Sequence, residues 1–308
     1  MTCNTARPPL LRPDWSSDVV KPPRFRYVRP TTLDEALDLR ADEDIESVIL
    51  AGGQSLIPMM NFRLARPELV IDIGGIKELR AISRTTDALV VGAGTRQADA
   101  LIAPEVASGA PLFIQALRHV GHVAIRNRGT VGGSIAHADP AAELPVALLA
   151  LDGSVVAQDR SGRRTVRATE LFETAFTTSL RSTEILVEVH APVEPRAQVS
   201  FVEISRRHGD FALVSAAVST TVDDGRFSSV RIALGGVAHV PVRCEAAEQL
   251  ALEGGPTADH IREVARAAAA GIDPSDDFHA TAAYRRQVTA VLVERAITDT
   301  CGVLTEVA

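Results

Sequence analysis

Two glycine turns in this chain carry the residue types that hold a phosphate. The first is Ala51-Gly52-Gly53-Gln54-Ser55, with Leu56 beside it, and the second is Gly129-Thr130-Val131-Gly132-Gly133-Ser134. Lacking a Cβ, glycine takes positive φ at little cost and lets backbone N–H groups come close to an anion, which cradles a phosphate without a lysine. Gln54 and Ser55 add side-chain donors, and Thr130 and Ser134 put small hydroxyls beside the second set of amides. Neither standard phosphate fingerprint is present, because the first turn lacks the GKS ending of a P-loop and the third glycine of the dinucleotide motif. Nucleotide hydrolysis by the usual route is therefore not supported. Two such turns can instead clamp one ligand, a bound nucleotide cofactor, although each taken singly also reads as a plain tight turn.

Further residues of chemical interest flank these turns. Asp139 and Glu143 follow the second one, where a carboxylate accepts from ribose, ribityl or ring N–H groups, while Glu143 equally suits the first turn of a capped helix. In Ser205-Arg206-Arg207-His208-Gly209-Asp210-Phe211-Ala212-Leu213-Val214 an aromatic ring precedes an apolar strand, placed either to stack on a planar heterocycle or to pack in a core. Arg206 and Arg207 suit a cofactor phosphate, a partner's acidic edge or plain solvation. His119, His122 and His137 lack a third ligand at metal spacing and read as structural or surface histidines.

The elements that must position these residues follow from pattern. Residues 1 to 24 hold Pro8, Pro9, Pro13, Pro22 and Pro23 with little periodicity, which predicts an extended or disordered leader. From Phe25 a strand at Arg26–Pro30, a helix whose N-cap and nearby acid lie in Thr31-Thr32-Leu33-Asp34-Glu35-Ala36-Leu37, a strand at Ser47–Ala51 and another at Glu68–Ile73 predict a βαβ-like lobe that contains the first turn. β-type runs at 88–95, 154–158 and 184–189, with helical stretches between the first two, predict a second α+β lobe. After Pro192-Val193-Glu194-Pro195, three β-type runs (200–205, 213–222 and 227–235) precede helices. One of these helices is alanine-rich and ends at Gly271, and another has Tyr284, Val288, Val291, Leu292 and Ile297 as expected buried positions.

Composition narrows the function classes. The 308 residues are 46% hydrophobic and 23% charged, as in ordinary globular chains, and the length suggests two domains. A formal net charge of −7 disfavours a nucleic-acid surface. No run approaches the roughly 18 apolar residues of a membrane span, and the start has no apolar signal core, so a cytoplasmic protein is expected. Cys3, Cys244 and Cys301 are too scattered for a disulfide framework or an iron–sulfur spacing, so any redox metal is expected in another chain.

Taken in order, AGGQSLIP, RNRGTVGGSIAHADPAAELP and SRRHGDFALVSAA resemble the FAD-binding medium subunit of the molybdenum hydroxylases, the group containing carbon monoxide dehydrogenase and xanthine dehydrogenase. The resemblance runs from about Phe25 to the C-terminus. It implies an α+β fold: a PCMH-type FAD domain over 25–195, with lobes at about 25–80 and 81–195, then a C-terminal flavoprotein domain over 196–308 with a three-stranded sheet and helices. FAD would lie noncovalently between the lobes. Ala51 to Ser55 match the family's first pyrophosphate loop and Thr130 to Ser134 the second. Glu143 matches an acid that holds the flavin, Leu186 a strand residue lining the ring, and Phe211 the side chain that packs on the isoalloxazine. The implied partners are a large molybdenum-cofactor subunit and a small subunit with two [2Fe–2S] clusters, in a dimer of heterotrimers that passes electrons through FAD to an external acceptor. One departure stands out: where many relatives have a lysine shortly before the arginine pair, this chain reads Phe201-Val202-Glu203-Ile204. The competing readings are a stand-alone flavin oxidoreductase acting directly on a small substrate, and a nucleotide-binding protein with no redox-active flavin.

Overall fold

A computed structural model describes residues 21–302, so the expected leader lies outside the described residues except for 21–24. The first lobe runs β1 (Arg26–Val28), α1 (Leu33–Arg40), β2 (Ser47–Leu50), α2 (Leu56–Asn61) and β3 (Leu69–Asp72). Its strands are parallel in the order β1-β3-β2, and parallel neighbours require the crossovers that α1 and α2 supply. Thr32 caps α1, its hydroxyl oxygen accepting from Glu35 N–H at 3.2 Å while the Glu35 carboxylate accepts from Thr31 N–H at 2.8 Å.

The second lobe begins with β4 (Ile82–Arg84) and β5 (Ala88–Gly92). Six helices follow: α3 (Gln97–Ile102), α4 (Pro104–Gly109), α5 (Pro111–His119), α6 (Val123–Arg126), α7 (Val131–His137) and α8 (Glu143–Ala150). It closes with β6 (Ser154–Asp159), β7 (Gly162–Arg167), α9 (Ala168–Leu171), β8 (Phe172–Thr174), β9 (Thr177–Thr178) and β10 (Ile185–Pro192). β10, last in sequence, is central in the antiparallel order β4-β5-β10-β6-β7. Ile185 and Val187 on β10 join the core of the first lobe, and Leu186, Val189 and Ala191 join that of the second. A register shift between Leu186 and Glu188 changes the phase of the strand, which is why its alternation reads only in part from sequence.

The C-terminal domain is an antiparallel sheet of β11 (Gln198–Ser205), β12 (Ala212–Asp223), β13 (Arg226–Gly235) and β14 (Val242–Arg243), followed by α10 (Glu245–Leu252), α11 (Ala258–Ala270) and α12 (Ala282–Cys301). The three expected strands are joined by β14, an edge of two residues too short to leave a periodic signal. One face of this sheet, with Phe201, Ala217 and Ala233, packs on the second lobe, and the other, with Val214, Ala216 and Ile232, packs under the helices. Leu292 and Ile297 of α12 are buried as expected, but Tyr284 and Val291 are 40% and 60% exposed. The buried face of α12 instead includes Arg285 and Thr289, whose polar groups find backbone acceptors: Arg285 donates to Leu213 and Gly236 carbonyls and pairs with Asp277, and Thr289 donates to Arg285. Polar residues on the inward stripe put the hydrophobic phase of this helix out of register with its packing.

Gln115 of α5 joins the domains. Its Nε2 donates to the Val199 carbonyl at 3.1 Å, and its Oε1 accepts from Phe201 N–H at 2.7 Å, pinning the edge strand β11 to the second lobe. Gln115→Ala leaves both backbone groups without these partners, at a cost of about 1–3 kcal/mol. Denaturant unfolding should show a lowered midpoint of that size, and an unchanged midpoint would contradict the bridging role.

Candidate cofactor site

The first glycine turn connects β2 to α2. Gly53 sits at φ +73°, the left-handed region where glycine is favoured, and Gln54 Nε2 donates to the Gly52 carbonyl at 3.0 Å, holding the turn shut. Among the described residues, the N–H groups of Gly53, Gln54 and Ser55 meet no acceptor, and the Ser55 hydroxyl makes no capping bond to α2. These are the free donors that an anion needs. Gly52 has a different task. A Cβ there would lie 2.6 Å from the Arg128 carbonyl oxygen and 2.7 Å from Gly129 Cα, so the residue is small because the other turn rests against it.

The second turn departs from its sequence reading. Thr130 is the N-cap of α7, accepting from Gly133 N–H at 3.0 Å, and Gly132 and Gly133 lie in the first turn of that helix. The amides expected to face a phosphate are already engaged: Val131 N–H donates to Thr95 (3.0 Å), Gly132 to Ala93 (2.9 Å) and Ser134 to Thr130 (3.1 Å). A Cβ on Gly132 would stand 2.6 Å from Ala93 Cα, so this glycine lets α7 lie on the end of β5. Among the described residues Thr130 N–H alone of the second turn's amides meets no acceptor, so that turn offers the site this one amide, a bare glycine surface and the Ser134 side chain, while the other free amides belong to the first.

Between the two turns is a cavity of about 690 Å³, walled by Ala51, Gly52, Gly53, Gln54, Ser55, Leu56, Thr130, Gly132, Gly133, Ser134, Asp139, Glu143, Leu186 and Phe211. Val131 is not on this wall: it is 2% exposed and packs into the second-lobe core. Phe211 stands at the mouth, 65% exposed, after a loop in which Gly209 takes φ +87° against the His122 ring. Arg206 and Arg207 line a neighbouring cavity of about 800 Å³ that shares Asp139, Gly209, Asp210 and Phe211 with the first. Arg40, Gln97, Thr178, Arg181 and Glu184 also wall the first cavity. No sequence signal marks them, since they come from α1, α3, β9 and the connection between β9 and β10, elements that meet only in the folded chain. Gln97 is 4% exposed with its Oε1 unpartnered, a buried polar atom facing the site.

Glu143 opens α8 and is 6% exposed. Burial, helped by the negative charges of Glu203 and Asp139, pushes its carboxyl up to about 8. At neutral pH it is a neutral acid that donates as well as accepts, in place of the accepting carboxylate expected from sequence. Burial also lowers His137, whose ring is tilted on Phe176 at 5.1 Å. The donor set fits a dinucleotide: free amides and hydroxyls for a pyrophosphate, a neutral acid for polar ring or ribityl groups, and Leu186 and Phe211 for a flat ring.

The raised Glu143 carboxyl makes stability pH-dependent. Its folded value of about 8 lies above the ordinary 4.5, so between these values the folded chain holds a proton that the unfolded chain releases, and stability falls as pH rises. The full penalty, reached above about pH 8, is on the order of 5 kcal/mol. In cofactor-free protein, Glu143→Gln should melt with the parent below about pH 4.5 and above it in temperature beyond about pH 8. Parallel melting curves at all pH values would contradict a neutral Glu143.

Residues 23–194 match the family described as FAD binding domain in molybdopterin dehydrogenase, and residues 199–300 match the CO dehydrogenase flavoprotein C-terminal domain. The chain is 41% identical over 280 residues to the 6-hydroxypseudooxynicotine dehydrogenase complex subunit alpha of Paenarthrobacter nicotinovorans, covering 90% of this chain and 95% of that one. It is 34% identical to the carbon monoxide dehydrogenase medium chain of Hydrogenophaga pseudoflava, covering 90% and 96%. A solved structure of the Hydrogenophaga pseudoflava enzyme lacking the Mo-pyranopterin moiety superposes with a TM-score of 0.89 at 35% identity, covering 91% of this chain and 98% of that chain. Quinoline 2-oxidoreductase from Pseudomonas putida 86 gives 0.88 at 34% identity, covering 92% and 98%. With both family matches adjoining along one chain and this fold shared at such identity, the protein belongs to the FAD-binding medium subunits of the molybdenum-dependent hydroxylases and dehydrogenases.

Proposed function

We propose that this chain holds FAD noncovalently between its lobes and relays electrons from [2Fe–2S] clusters of a small partner subunit to an external acceptor, the organic substrate being oxidised at a molybdenum cofactor in a large subunit. The observation that carries this reading is the cavity between the glycine turns, with free amides on one wall, a neutral acid on another and an aromatic ring at its mouth. FAD, when bound, supplies the ability to take electrons singly and release them as a pair. The chain's residues supply the rest. Gly53, Gln54 and Ser55 would hold the pyrophosphate, Glu143 would hydrogen-bond polar atoms of the flavin, and Leu186 and Phe211 would cover its faces.

Cys244 is buried and pushed up to about 12, and burial raises Cys301 as well, so neither is poised as a thiolate ligand. The medium-chain and complex-subunit names of the relatives support large and small partners, and a dimer of heterotrimers in the cytoplasm is the assembly we propose.

The site is tested by adding charge without strain. Gly132→Asp would act through the collision with Ala93, whereas Ser55 precedes α2 with backbone angles open to any residue and no side-chain cap bond to lose, so Ser55→Asp should fold and put a carboxylate where the phosphates bind. FAD affinity should fall about 100-fold through like-charge repulsion, measured by flavin fluorescence on titration into cofactor-free protein. Wild-type affinity in this variant would overturn the phosphate assignment. Flavin should leave the chain on denaturation, and flavin that stayed attached would favour a covalent oxidoreductase instead. Phe211→Ala should weaken FAD binding about three- to tenfold, with unchanged thermal unfolding of the cofactor-free protein; an unchanged dissociation constant would remove the ring-packing role.

A further inference from the structure

Reducing a flavin fully takes two protons with its two electrons, and electrons that reach it from a metal cluster bring no protons with them. The protein around the cavity therefore matters as a proton source, and the inference here rests on the flavin reading above. Behind the cavity wall is a buried polar cluster that the binding of FAD does not use. Glu203, on β11, faces the second lobe, as does Phe201 two residues before it. Its side chain is 3% exposed; Oε1 stands 3.3 Å from His119 Nδ1, and Oε2 is buried without a partner. His119 ends α5, its ring tilted on Phe201 at 5.5 Å and its side chain 31% exposed.

Inward from Glu203 the cluster reaches α8. Glu203 is paired across the sheet with Ser215, whose hydroxyl is also buried and unpartnered, and Ser215 is paired with Gly235. The Cβ position of Gly235 lies 2.5 Å from Ser215 Oγ and 2.7 Å from Val146 Cγ2, which places Ser215 close to the first turns of α8, the helix that Glu143 opens. The charged groups acting on Glu143 are Glu203 from the sheet and Asp139 from the connection before α8, and the titratable group paired with Glu203 is His119. Two unpartnered polar atoms in one buried cluster are costly for a purely structural arrangement.

We propose that His119, Glu203 and Glu143 form a proton path from solvent to the flavin cavity. Glu143, on the cavity wall, gives its carboxyl proton to the reduced ring. The carboxylate left behind is reprotonated by way of Glu203: the Glu203 carboxylate takes a proton from His119 Nδ1 and hands it on to Glu143, returning to its anionic form, and the imidazole takes a replacement proton from water. Two reduced iron–sulfur centres lose one electron each, FAD gains those two electrons and two protons to become FADH2, and two passages along the path supply the protons. Oxidation by the acceptor runs the path outward. Glu203 and His119 are positioning residues that act through Glu143.

The test uses the FAD-loaded complex, reduced in a stopped-flow instrument by methyl viologen radical as the one-electron donor, in light and heavy water. Wild type should show a solvent isotope effect on flavin bleaching. Glu203→Gln should bleach about tenfold more slowly, with FAD affinity and midpoint potential unchanged. His119→Gln should do the same and recover with added imidazole, and it decides the matter if the Glu203 variant does not fold. In cofactor-free protein, the infrared band of a protonated carboxyl should vanish in Glu143→Gln and shift in Glu203→Gln, which reads the coupling without turnover. Wild-type bleaching rates in both variants, or slowing matched by an equal loss of FAD affinity or a displaced potential, would overturn the path. A complex that takes up no FAD would instead overturn the proposed function itself.

Discussion

Contact between the two glycine turns is the constraint on which the site depends. Gly52 rests on Gly129, and Gly132 rests on Ala93, at separations that no side chain tolerates. Backbone bonds from Gln97 to Gly129, Val131 to Thr95 and Gly132 to Ala93 lock the second turn to the end of β5, so the first turn meets a fixed surface. Close packing of this kind has little compressibility, and it fixes where the free amides of Gly53, Gln54 and Ser55 point. The cavity is what remains between two backbones held this near. β10 completes the frame by giving residues to the cores of both lobes.

Within that frame the electrostatics follow from burial. Glu143 sits where water is scarce and where Glu203 and Asp139 add negative charge, so the neutral form wins although the N-terminus of α8 would favour an anion. A buried acid of this sort costs stability once it ionises, and that cost is tolerated at sites that use the proton. The paired His119 keeps one Glu203 oxygen satisfied and leaves the other open.

Much of the fold was legible because its signals are short in range. The Thr32 cap, the apolar run ending at Gly52 and the long strands of the C-terminal sheet all reflect neighbours within a few residues. β14 and the inward face of α12 were not legible, since two residues carry no period and the buried Arg285 is accepted only because the Leu213 and Gly236 carbonyls meet it there. For the site, most of the candidate residues do wall one cavity, but Val131 turns inward and Arg206 and Arg207 face the adjoining cavity. Gln97 and Arg181 join the wall without any motif to announce them.

From residue order alone come the family, the two turns and the elements that carry them, because glycine, capping residues and apolar periodicity act through the local backbone. Folding settles which amides stay free, which glycines serve packing and which serve the ligand, and whether Glu143 bears a proton. Those properties depend on groups far apart in the chain: Gly132 meets Ala93 only in the folded second lobe, Gly52 meets Gly129 only where the two lobes join, and Glu203 acts on Glu143 only once the C-terminal sheet has packed on the second lobe.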